Sequence, residues 1–391
     1  MAANQPAAVS RASDPAHVLA NSTATTRRHW PYRPTAQALP AARLPLFKTF
    51  RMKKNAVVTL ADAGYVEQAK QLFSSIYHNA GWQGDYLLLA HQIPEEELKW
   101  FTDRGILVYR CKPLADKPFG PHSRRKPTVL SKFYLFTPFF KQWDRIIFLD
   151  GDIIVRASLD DLTQSKGFNA VKMPHSLWWL FFMTGLRIAI FNPEQKALAQ
   201  QLRKKYNLRT KSFNSGVMVF SSDFIQPDTF SRLFDIYQKY KTILYGDEPM
   251  FNLAFQYQWR PLPQAYNVLI HLLNMFYKIK PDEAQGIVMH FCTPEKPWRK
   301  NHPCKTEWET NLSRADNINL KNPLPPKEVW SPKKINALTR FVFWRDVKNF
   351  RLLWHYKFNR RLGLAGLTIK AHNPRLYWWL KLLLKGQRPK N

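Results

Sequence analysis

The chain has 391 residues, of which 45% are hydrophobic, and a formal net charge of +31. The apolar content supports a large core and excludes a chain that is disordered throughout. A nucleic-acid-binding core would carry the basic excess itself. Residues 1–54 and 327–391 instead carry +22 of the charge, and the 272 residues between them carry only +9. We therefore expect no specific nucleic-acid partner and a folded core between two basic ends.

The N-terminal segment, residues 1–50, is predicted to be a disordered basic tail. Its first 45 residues are rich in Ala, Ser, Thr, Pro and Arg, and Asp14 is the only acidic residue among them. That composition is also typical of an organellar transit peptide, so organellar targeting is the alternative.

The three cysteines, Cys111, Cys292 and Cys304, are widely spaced and form no CxxC motif. This pattern indicates neither a disulfide framework nor a zinc site, and it is typical of a reducing compartment. No stretch reaches about 18 uncharged apolar residues, the length of a membrane span. We therefore expect a cytoplasmic protein or one at the cytoplasmic face of a membrane.

Short apolar runs alternate with amphipathic stretches from residue 55 onward. The pattern predicts strands over 55–60, 86–90, 106–109 and 145–150, and helices over 66–78, from Pro94 and over 129–140. The βαβαβαβ order is typical of an α/β protein with a mostly parallel sheet and helices on both faces. Such a sheet binds ligands beyond the carboxyl ends of its strands.

The second half of the chain is less regular. A long connection over 174–213 contains the apolar run Leu177–Phe182, which is either a buried lid segment or a contact for acceptor or lipid. Further predicted elements are a helix around 195–206, strands over 216–220 and 286–290, and helices over 228–241 and 247–256. The Pro- and Asn-rich residues 316–335 are predicted to link a folded domain over 51–315 to a C-terminal extension over 336–391.

The segment FLDGD, residues 148–152, interrupts what would otherwise be one buried strand. Asp-Gly between two apolar runs is a strong hairpin signal, and a hairpin is one interpretation of Asp150 and Asp152. The other is a cation site, because acidic side chains at i and i+2 beyond a buried strand can both turn toward one hard metal ion. A position at the carboxyl end of the predicted sheet favours the cation site.

Three later segments also place polar residues at the ends of predicted strands or helices. In FNSGVMVF, residues 213–220, Asn214 lies at the mouth of a strand and Gly216 permits close backbone approach. The other two segments, YGDEPMFN and HFCTPEKPW, contribute Asp247, Glu248, His290 and Lys296.

Together these segments resemble glycosyltransferase family 8, the family of glycogenin, galactinol synthase and bacterial lipooligosaccharide galactosyltransferases. The resemblance runs from about Asn55 to Trp298, with the motifs in the expected order. It implies a Rossmann-like GT-A fold for residues 51–315. It also implies an enzyme that moves a hexose from a UDP-sugar to a carbohydrate, glycolipid or protein acceptor with retention of anomeric configuration. Oligomerisation stays open.

The resemblance also implies roles for individual residues. A divalent cation, Mn2+ with Mg2+ as the alternative, would be bound by Asp150, Asp152 and His290. The donor nucleotide would be contacted by Asp150, Gly151, Lys296, Leu60 and Tyr65, with Leu60 contributing a backbone contact and Tyr65 packing on the base. The donor sugar would be contacted by Lys132, Asn214 and Asp247, the last beside the anomeric carbon.

Elementary chemistry supports these roles. A divalent ion neutralises a diphosphate leaving group, a lysine adds positive charge at the leaving oxygen, and a carboxylate stabilises an oxocarbenium-like sugar. A mixed carboxylate and histidine ligand set favours Mn2+ over Mg2+. Whether Asp247 forms a covalent bond or shields an ion pair during front-face attack stays open.

The sequence departs from glycogenin at two positions of this region. Glu248 stands where glycogenin has glutamine, and Thr293 stands where it has glycine. The identity of the transferred sugar therefore cannot be copied from glycogenin.

Two other functions fit parts of the sequence. The first is a catalytically silent GT-A-fold protein that binds polyanions or a membrane surface through its basic ends. The second is a nucleotidyltransferase, because enzymes of that class can have a similar sheet and a similar pair of acidic residues. The intact set of Asp150, Asp152, His290 and Lys296 argues against the silent protein, and a requirement for an NTP would identify the nucleotidyltransferase.

The C-terminal extension, residues 336–391, is predicted to be helical, basic and amphipathic. Over 338–362 the helical spacing combines an apolar set with a basic set, namely Phe343, Val347, Phe350, Trp354 and Phe358 with Arg345, Lys348, Arg351, Arg360 and Arg361. A shorter segment of the same kind follows at 374–386. This pattern is typical of a helix on an anionic membrane surface. The alternative is a helical pair that packs on the catalytic domain.

Overall fold

The computed structural model describes residues 55–116, 126–173, 192–208, 210–244, 246–292 and 294–348, together with Asn373, Leu376 and Trp379. The predicted N-terminal tail, the apolar run Leu177–Phe182 and almost all of the extension beyond Lys348 lie outside the described residues. The expectations for those segments stay predictions.

Ten strands are present in the described residues, and seven of them form one large sheet. The strands are β1 (Asn55–Asp62), β2 (Asp85–His91), β3 (Leu107–Cys111), β4 (Arg145–Leu149), β5 (Ile153–Val155), β6 (Phe168–Lys172), β7 (Phe213–Ser221), β8 (Trp259–Leu262), β9 (Val268–Leu269) and β10 (Val288–His290). The large sheet has the order β3–β2–β1–β4–β7–β6–β8, and a small sheet has the order β5–β10–β9.

The first half of the large sheet is parallel, as the sequence predicts. β1 pairs in parallel with both β2 and β4, and β2 pairs in parallel with β3. β7 is the exception, because it runs antiparallel between β4 and β6. β8 then continues the sheet in parallel with β6. The prediction of a mostly parallel central sheet is confirmed.

The described residues contain eight α-helices. They are α1 (Val66–Ser75), α2 (Glu95–Asp103), α3 (Pro193–Lys205), α4 (Thr229–Tyr240), α5 (Glu248–Ala254), α6 (Ile270–Tyr277), α7 (Lys305–Ser313) and α8 (Pro332–Lys348). The helix predicted over 129–140 is wrong in type, since 3₁₀ turns occupy Pro127–Phe136 and Pro138–Gln142. The two turns are separated at Pro138, which lacks the amide hydrogen that a continuous helix needs at that point.

Alternate strand residues pack into separate apolar clusters on the two faces of the large sheet. Val58 and Phe148 belong to one cluster, which α3, α4 and α5 also enter. Val57 and Ile147 belong to the other cluster, which includes side chains of α1 and α2. Because successive strand residues point to opposite faces, both faces of the sheet are buried and helices cover both.

The FLDGD segment joins the two sheets. β4 pairs with β1 and β7, whereas β5 pairs with β10. The amide of Asp150 donates to the carbonyl of Gly216 at 2.9 Å, and the amide of Phe291 donates to the carbonyl of Asp152 at 3.0 Å. The hairpin interpretation is therefore wrong, because the two apolar runs belong to different sheets.

The residues predicted to be a linker, 316–335, are mostly exposed, but a few of them are anchored to the folded domain. Ile318 and Trp330 are buried. The amide of Lys327 donates to the carbonyl of Asn79 at 2.9 Å, and the hydroxyl of Tyr77 donates to the carbonyl of Asn322 at 2.7 Å. Regular structure resumes in α8 before residue 335. The stretch is therefore exposed over most of its length but attached to the folded domain at these points, and the predicted linker and domain boundaries stay predictions.

Helix α8 packs one side against the small-sheet region. Ile335 and Val342 are buried, and the hydroxyl of Tyr277 in α6 donates to Oδ1 of the buried Asp346 at 2.5 Å. The opposite side of α8 exposes large apolar side chains. None of the helices in the described part of the chain is both long enough and apolar enough to cross a membrane.

Candidate active site

The predicted site residues come together where the large sheet meets the small one. FLDGD follows the carboxyl end of β4, and His290 ends β10 of the small sheet. Asn214 lies near the start of β7, which is antiparallel to β4 and therefore begins at the same edge. Asp247 directly precedes α5. Residues far apart in sequence thus meet at one edge, as expected for an α/β sheet.

Asp150, Asp152 and His290 form the centre of the site. One ligand atom from each lies within 4.8 Å of the others. Nε2 of His290 is 3.1 Å from Oδ1 of Asp152 and 3.9 Å from Oδ2 of Asp150. The structure therefore brings the three predicted metal ligands into one cluster.

This cluster fits a divalent cation. Among the described residues, the buried atoms Oδ1 of Asp152 and Nε2 of His290 have no hydrogen-bond partner of acceptable geometry. Buried polar atoms usually have a partner, so two such atoms facing each other call for an ion or a water between them. Two carboxylates with one imidazole can bind Mn2+ and are less suited to Mg2+.

Lys296 lies beside the predicted cation ligands. Its Nζ is 2.6 Å from Oδ2 of Asp152 and also donates to the carbonyl of Phe291 at 2.6 Å. Burial works against ionisation of Asp152, but the neighbouring ammonium group of Lys296 helps to hold the pKa of Asp152 below its usual range. Asp152 therefore stays ionised, as a cation ligand must.

Lys132 joins the FLDGD segment to Asp247. Its Nζ is 2.7 Å from Oδ1 of Asp150 and 2.7 Å from Oδ2 of Asp247, and Ser215 donates its hydroxyl to the same Asp247 oxygen at 2.8 Å. Burial alone would lower the pKa of Lys132, but Asp150 and Asp247 outweigh it and raise that pKa above its usual value. Burial raises the pKa of Asp150, against the pull of Lys132. Lys132 thus carries a positive charge inside the site.

Asn214 connects Glu248 to the cluster of predicted cation ligands. Its Nδ2 donates to Oε2 of Glu248 at 2.7 Å, and its Oδ1 accepts from the amide of Gly216 and from Nδ2 of Asn267, both at 3.0 Å. Oδ1 of Asn267 lies 2.9 Å from Nδ1 of His290. Asn214 therefore reaches a metal ligand through a single intervening side chain.

The predicted nucleotide contacts also lie together. A Cβ atom added to Gly151 would be 3.5 Å from Cδ1 of Tyr65 and 3.6 Å from the carbonyl oxygen of Leu60. The Tyr65 ring meets Trp298 edge to face, with 6.0 Å between ring centroids. The first strand therefore brings Leu60 and Tyr65 against FLDGD.

A cleft of about 490 Å³ opens beyond the carboxyl ends of β1 and β2. Its lining includes Asp62, His91, Lys126 and Thr128. Lys126 and Asp62 form an ion pair of 2.9 Å across it. The cleft is also lined by Ala63 and Gly64, which lie between Leu60 and Tyr65 in the sequence.

The structure therefore gathers all ten predicted site residues into one region. Sequence reasoning assigned no role to Asn267 or Ser215, although both take part in it. Ser215 was visible beside Asn214 at the mouth of a predicted strand. Asn267, in the segment QAYNVLI, offered only a weak signal, namely one amide ahead of an apolar run.

Comparison with known proteins identifies the family of the chain. The family model for glycosyl transferase family 8 matches residues 56–302, a range that contains every site residue described above. The chain is similar to glycosyltransferase GlyA of Streptococcus pneumoniae serotype 4 (strain ATCC BAA-334 / TIGR4), with 23% identity over 255 residues, covering 63% of this chain and 33% of GlyA. It is similar to galactinol synthase 7 of Arabidopsis thaliana, with 23% identity over 229 residues, covering 57% of this chain and 66% of that protein.

Two solved structures share the fold. Galactosyltransferase LgtC, in complex with donor and acceptor sugar analogues, aligns with a TM-score of 0.50 and 17% identity, covering 66% of this chain and 95% of LgtC. The apo structure of the bifunctional glycosyltransferase WbbM aligns with a TM-score of 0.50 and 15% identity, covering 70% of this chain and 53% of WbbM. The predicted GT-A fold is confirmed by these likenesses and by the sheet order.

The similarity to GlyA covers one part of that protein and not its whole length. The chain spans about a third of the length of GlyA and slightly less than two thirds of the galactinol synthase. The family model itself covers well over half of this chain, with the site inside the matched range. The chain therefore belongs to glycosyl transferase family 8.

Proposed function

We propose that the protein is a retaining, Mn2+-dependent glycosyltransferase that moves a hexose from a UDP-sugar to a carbohydrate, glycolipid or protein acceptor. The observation that carries the proposal is the convergence of Asp150, Asp152 and His290 within 4.8 Å. Two buried ligand atoms there lack other hydrogen-bond partners among the described residues, which is the arrangement expected of cation ligands. Membership of family 8 supports the sugar-nucleotide donor.

The residues around the cluster suit transfer from a sugar diphosphate. A bound divalent ion would supply neutralisation of the leaving diphosphate without proton transfer. Lys296, next to Asp152, adds a second positive charge on the leaving-group side. On the other side, Lys132 and Ser215 hold the carboxylate of Asp247, which would stabilise the oxocarbenium-like sugar.

The nucleoside has a place beside these groups. Leu60 and Tyr65 lie against Gly151, and the cleft at the ends of β1 and β2 is lined by residues between them in the sequence. We propose that uridine binds there, with the Leu60 backbone contacting it and Tyr65 packing on the base. This arrangement leaves Asn214, Asp247 and Lys132 to contact the sugar.

Ligand-induced stabilisation tests the proposal. The expected result is that UDP and one UDP-sugar, each with Mn2+, raise the unfolding temperature, whereas ATP and CTP do not. At about 100 times the dissociation constant, a ligand adds about 2.7 kcal/mol to the free energy of unfolding. Stabilisation by NTPs but not by UDP-sugars would instead support a nucleotidyltransferase.

Turnover provides the second half of the test. With Mn2+ and no acceptor, the protein is expected to hydrolyse the stabilising UDP-sugar slowly, and NMR of the released sugar identifies its anomeric configuration. Initial release of the anomer found in the donor is the retaining result. A protein that binds the donor but never cleaves it, with any acceptor class, would support the catalytically silent alternative.

We also propose that the exposed side of α8 contacts an anionic membrane surface. Phe343, Trp344 and Val347 are 44%, 60% and 40% exposed. Arg345 and Lys348 are exposed on the same helix, and the last 65 residues of the chain carry a large basic excess. Exposed aromatic side chains combined with basic ones match the interface of an anionic bilayer, such as the cytoplasmic leaflet. A glycolipid acceptor would be presented at such a surface.

A further inference from the structure

An imidazole nitrogen and a carboxylate oxygen face each other inside the cation site. Nε2 of His290 and Oδ1 of Asp152 are 3.1 Å apart, and among the described residues neither atom has a hydrogen-bond partner of acceptable geometry. A neutral imidazole carries its hydrogen on one nitrogen only. Nε2 can bind a cation only if that hydrogen lies on Nδ1, so the tautomer of His290 decides whether the site is ready.

The donor and the acceptor of each neighbouring hydrogen bond can be assigned by starting from a main-chain amide. The amide of Gly216 can only donate, and it lies 3.0 Å from one terminal atom of the Asn214 amide. That atom must therefore be Oδ1. The other terminal atom is Nδ2, which lies 2.7 Å from the carboxylate of Glu248, an acceptor that suits it. The orientation of the Asn214 amide is thus determined at both ends.

The same reasoning passes to Asn267. The atom of Asn267 that lies 3.0 Å from Oδ1 of Asn214 must donate, so it is Nδ2. Oδ1 of Asn267 is then the atom that lies 2.9 Å from Nδ1 of His290. A carbonyl oxygen accepts and cannot donate, so Nδ1 of His290 must carry the hydrogen.

We infer that the main-chain amide of Gly216, acting through Asn214 and Asn267, holds His290 in the tautomer with hydrogen on Nδ1 and directs the lone pair of Nε2 into the cation site. Asn267 and Asn214 are thereby positioning residues for the cation. The inference rests on the proposed function, since it assigns these amides to the metal site of that proposal.

The packing around this series of hydrogen bonds supports a role in positioning His290. Asn267 is 0% and His290 1% exposed, so bulk solvent does not compete with these hydrogen bonds. A Cβ atom on residue 216 would lie 2.2 Å from Cε1 of His290, so only glycine admits the ring here while offering its amide to Asn214. The other end of the chain is Glu248, which places a carboxylate of the predicted sugar pocket in the same hydrogen-bonded series as the metal ligand.

The tautomer can be observed directly in the metal-free protein. Full-length protein labelled with 15N in its histidines is measured by long-range 1H–15N correlation at about pH 8, where an ordinary histidine is neutral. The signals of His290 are identified by their loss in His290→Gln. The expected pattern shows hydrogen on Nδ1, and a pattern with hydrogen on Nε2 overturns the inference.

Variants test whether the amides cause the tautomer. Asn267→Leu removes the acceptor, and Asn214→Leu frees the Asn267 amide to turn its NH2 group to the ring, so both should shift His290 toward the Nε2 tautomer. Asn214→Asp keeps an oxygen for Gly216 and Asn267, so it should retain the Nδ1 tautomer. An unchanged Nδ1 pattern in both leucine variants would show that something other than this chain of amides sets the tautomer.

Cation binding gives the second readout. Titration with Mn2+, followed by electron paramagnetic resonance, should give a dissociation constant about 10–100-fold higher for Asn267→Leu than for the unaltered protein. Asn169→Leu is the matched control, because Asn169 is a buried amide of β6 that donates to the carbonyls of Lys166 and Gly167 outside the site. Equal loss of Mn2+ binding in both variants would overturn the inference.

The two proposals fail in different ways. If the unaltered protein does not bind Mn2+, the proposed metal-dependent function fails, whatever the tautomer. If it binds Mn2+ and turns over a UDP-sugar while His290 carries its hydrogen on Nε2 in the metal-free state, only the present inference fails. The measurement on the unaltered protein also stands if a leucine variant does not fold.

Discussion

At the scale of single residues, the site depends on buried charges that are maintained by pairing with opposite charges. Lys132 lies between Asp150 and Asp247, and Lys296 lies beside Asp152. Breaking a buried ion pair costs more than forming it contributes, because the remaining charge is left without compensation. The site residues are therefore expected to respond sharply to neutral replacements, even where the replacement has the same shape.

Asp152→Asn is expected to abolish turnover. The amide keeps the shape of the side chain but removes the charge that a divalent cation and Lys296 both require, so sugar transfer or hydrolysis should fall by at least about 100-fold. The measurement is Mn2+-dependent UDP-sugar hydrolysis, with circular dichroism to verify the fold. Asp160→Asn, on an exposed turn outside the site, is the control. A well-folded, active Asp152→Asn would remove Asp152 from the metal assignment.

At the scale of elements, β7 determines how closely the two sheets approach. It runs antiparallel beside β4, and Gly216 on β7 accepts from the amide of Asp150. The missing side chain of Gly216 leaves the space that His290 of β10 occupies. Strand β7 therefore positions both the FLDGD segment and the imidazole.

Gly216→Ala is expected to displace the imidazole of His290. The added Cβ would lie 2.2 Å from Cε1 of His290, which the buried ring cannot accommodate without moving. Overpacking of this kind costs about 1–3 kcal/mol of unfolding free energy. Calorimetry should therefore show weaker Mn2+ binding together with a lower unfolding temperature.

Gly151→Ala is the matched control for that variant. Its Cβ would be 3.5 Å from Tyr65 and 3.6 Å from Leu60, which is ordinary contact. It should keep both the stability and the Mn2+ affinity of the unaltered protein. If the two alanine variants behaved alike, the close approach of His290 to β7 would not be what positions the imidazole.

The exposed side of α8 is the second element with a testable role. Replacing Phe343, Trp344 and Val347 together by serine should lower binding to vesicles that contain phosphatidylserine by about tenfold, because apolar burial and charge act together at the interface. Cosedimentation measures the bound fraction, and neutral phosphatidylcholine vesicles report the contribution of charge. Tyr257→Ser, at a residue that is 72% exposed elsewhere, is the control. Unchanged cosedimentation of the triple variant would contradict the proposal.

At the scale of the whole molecule, α8 is part of the folded unit that carries the site. Thr339 of α8 accepts from the amide of Gln264 at 3.0 Å, and Asp346 accepts from Tyr277. The helix therefore covers the region from which Asn267 and His290 come. A membrane-facing helix in this position would be coupled to the active site by direct packing.

Deletion of residues 331–391 is expected to destabilise the domain as well as remove the basic end. The deletion removes the buried side chains of Ile335 and Val342. Their loss should lower the free energy of unfolding by about 3–6 kcal/mol, at about 1.5–3 kcal/mol for each apolar side chain. Urea unfolding measures the change. Deletion of 349–391 retains α8 and should cost less. Two truncated proteins of equal stability would show that α8 contributes little to the fold.

Much of the fold and of the site was accessible from local sequence signals. Apolar runs and amphipathic spacing predicted β1 to β4 with the helices α1 and α2, because periodicity reflects which side of an element is buried. Residue type and spacing identified FLDGD, and the resemblance added Lys296 and His290. The predicted helix over 129–140 is interrupted at Pro138, which apolar spacing alone does not reveal.

The sequence by itself determined the chemistry of this protein, namely which acids, lysines and imidazole are available and the strand ends that carry them. Tertiary structure alone decided that β5 leaves β4 for a second sheet, that β7 runs antiparallel, and that Asn267 links His290 to Asn214. The physical reason is the distance along the sequence over which each kind of interaction acts. Strand periodicity and turn preference act between neighbours along the chain, whereas pairing and burial join residues that no local pattern connects.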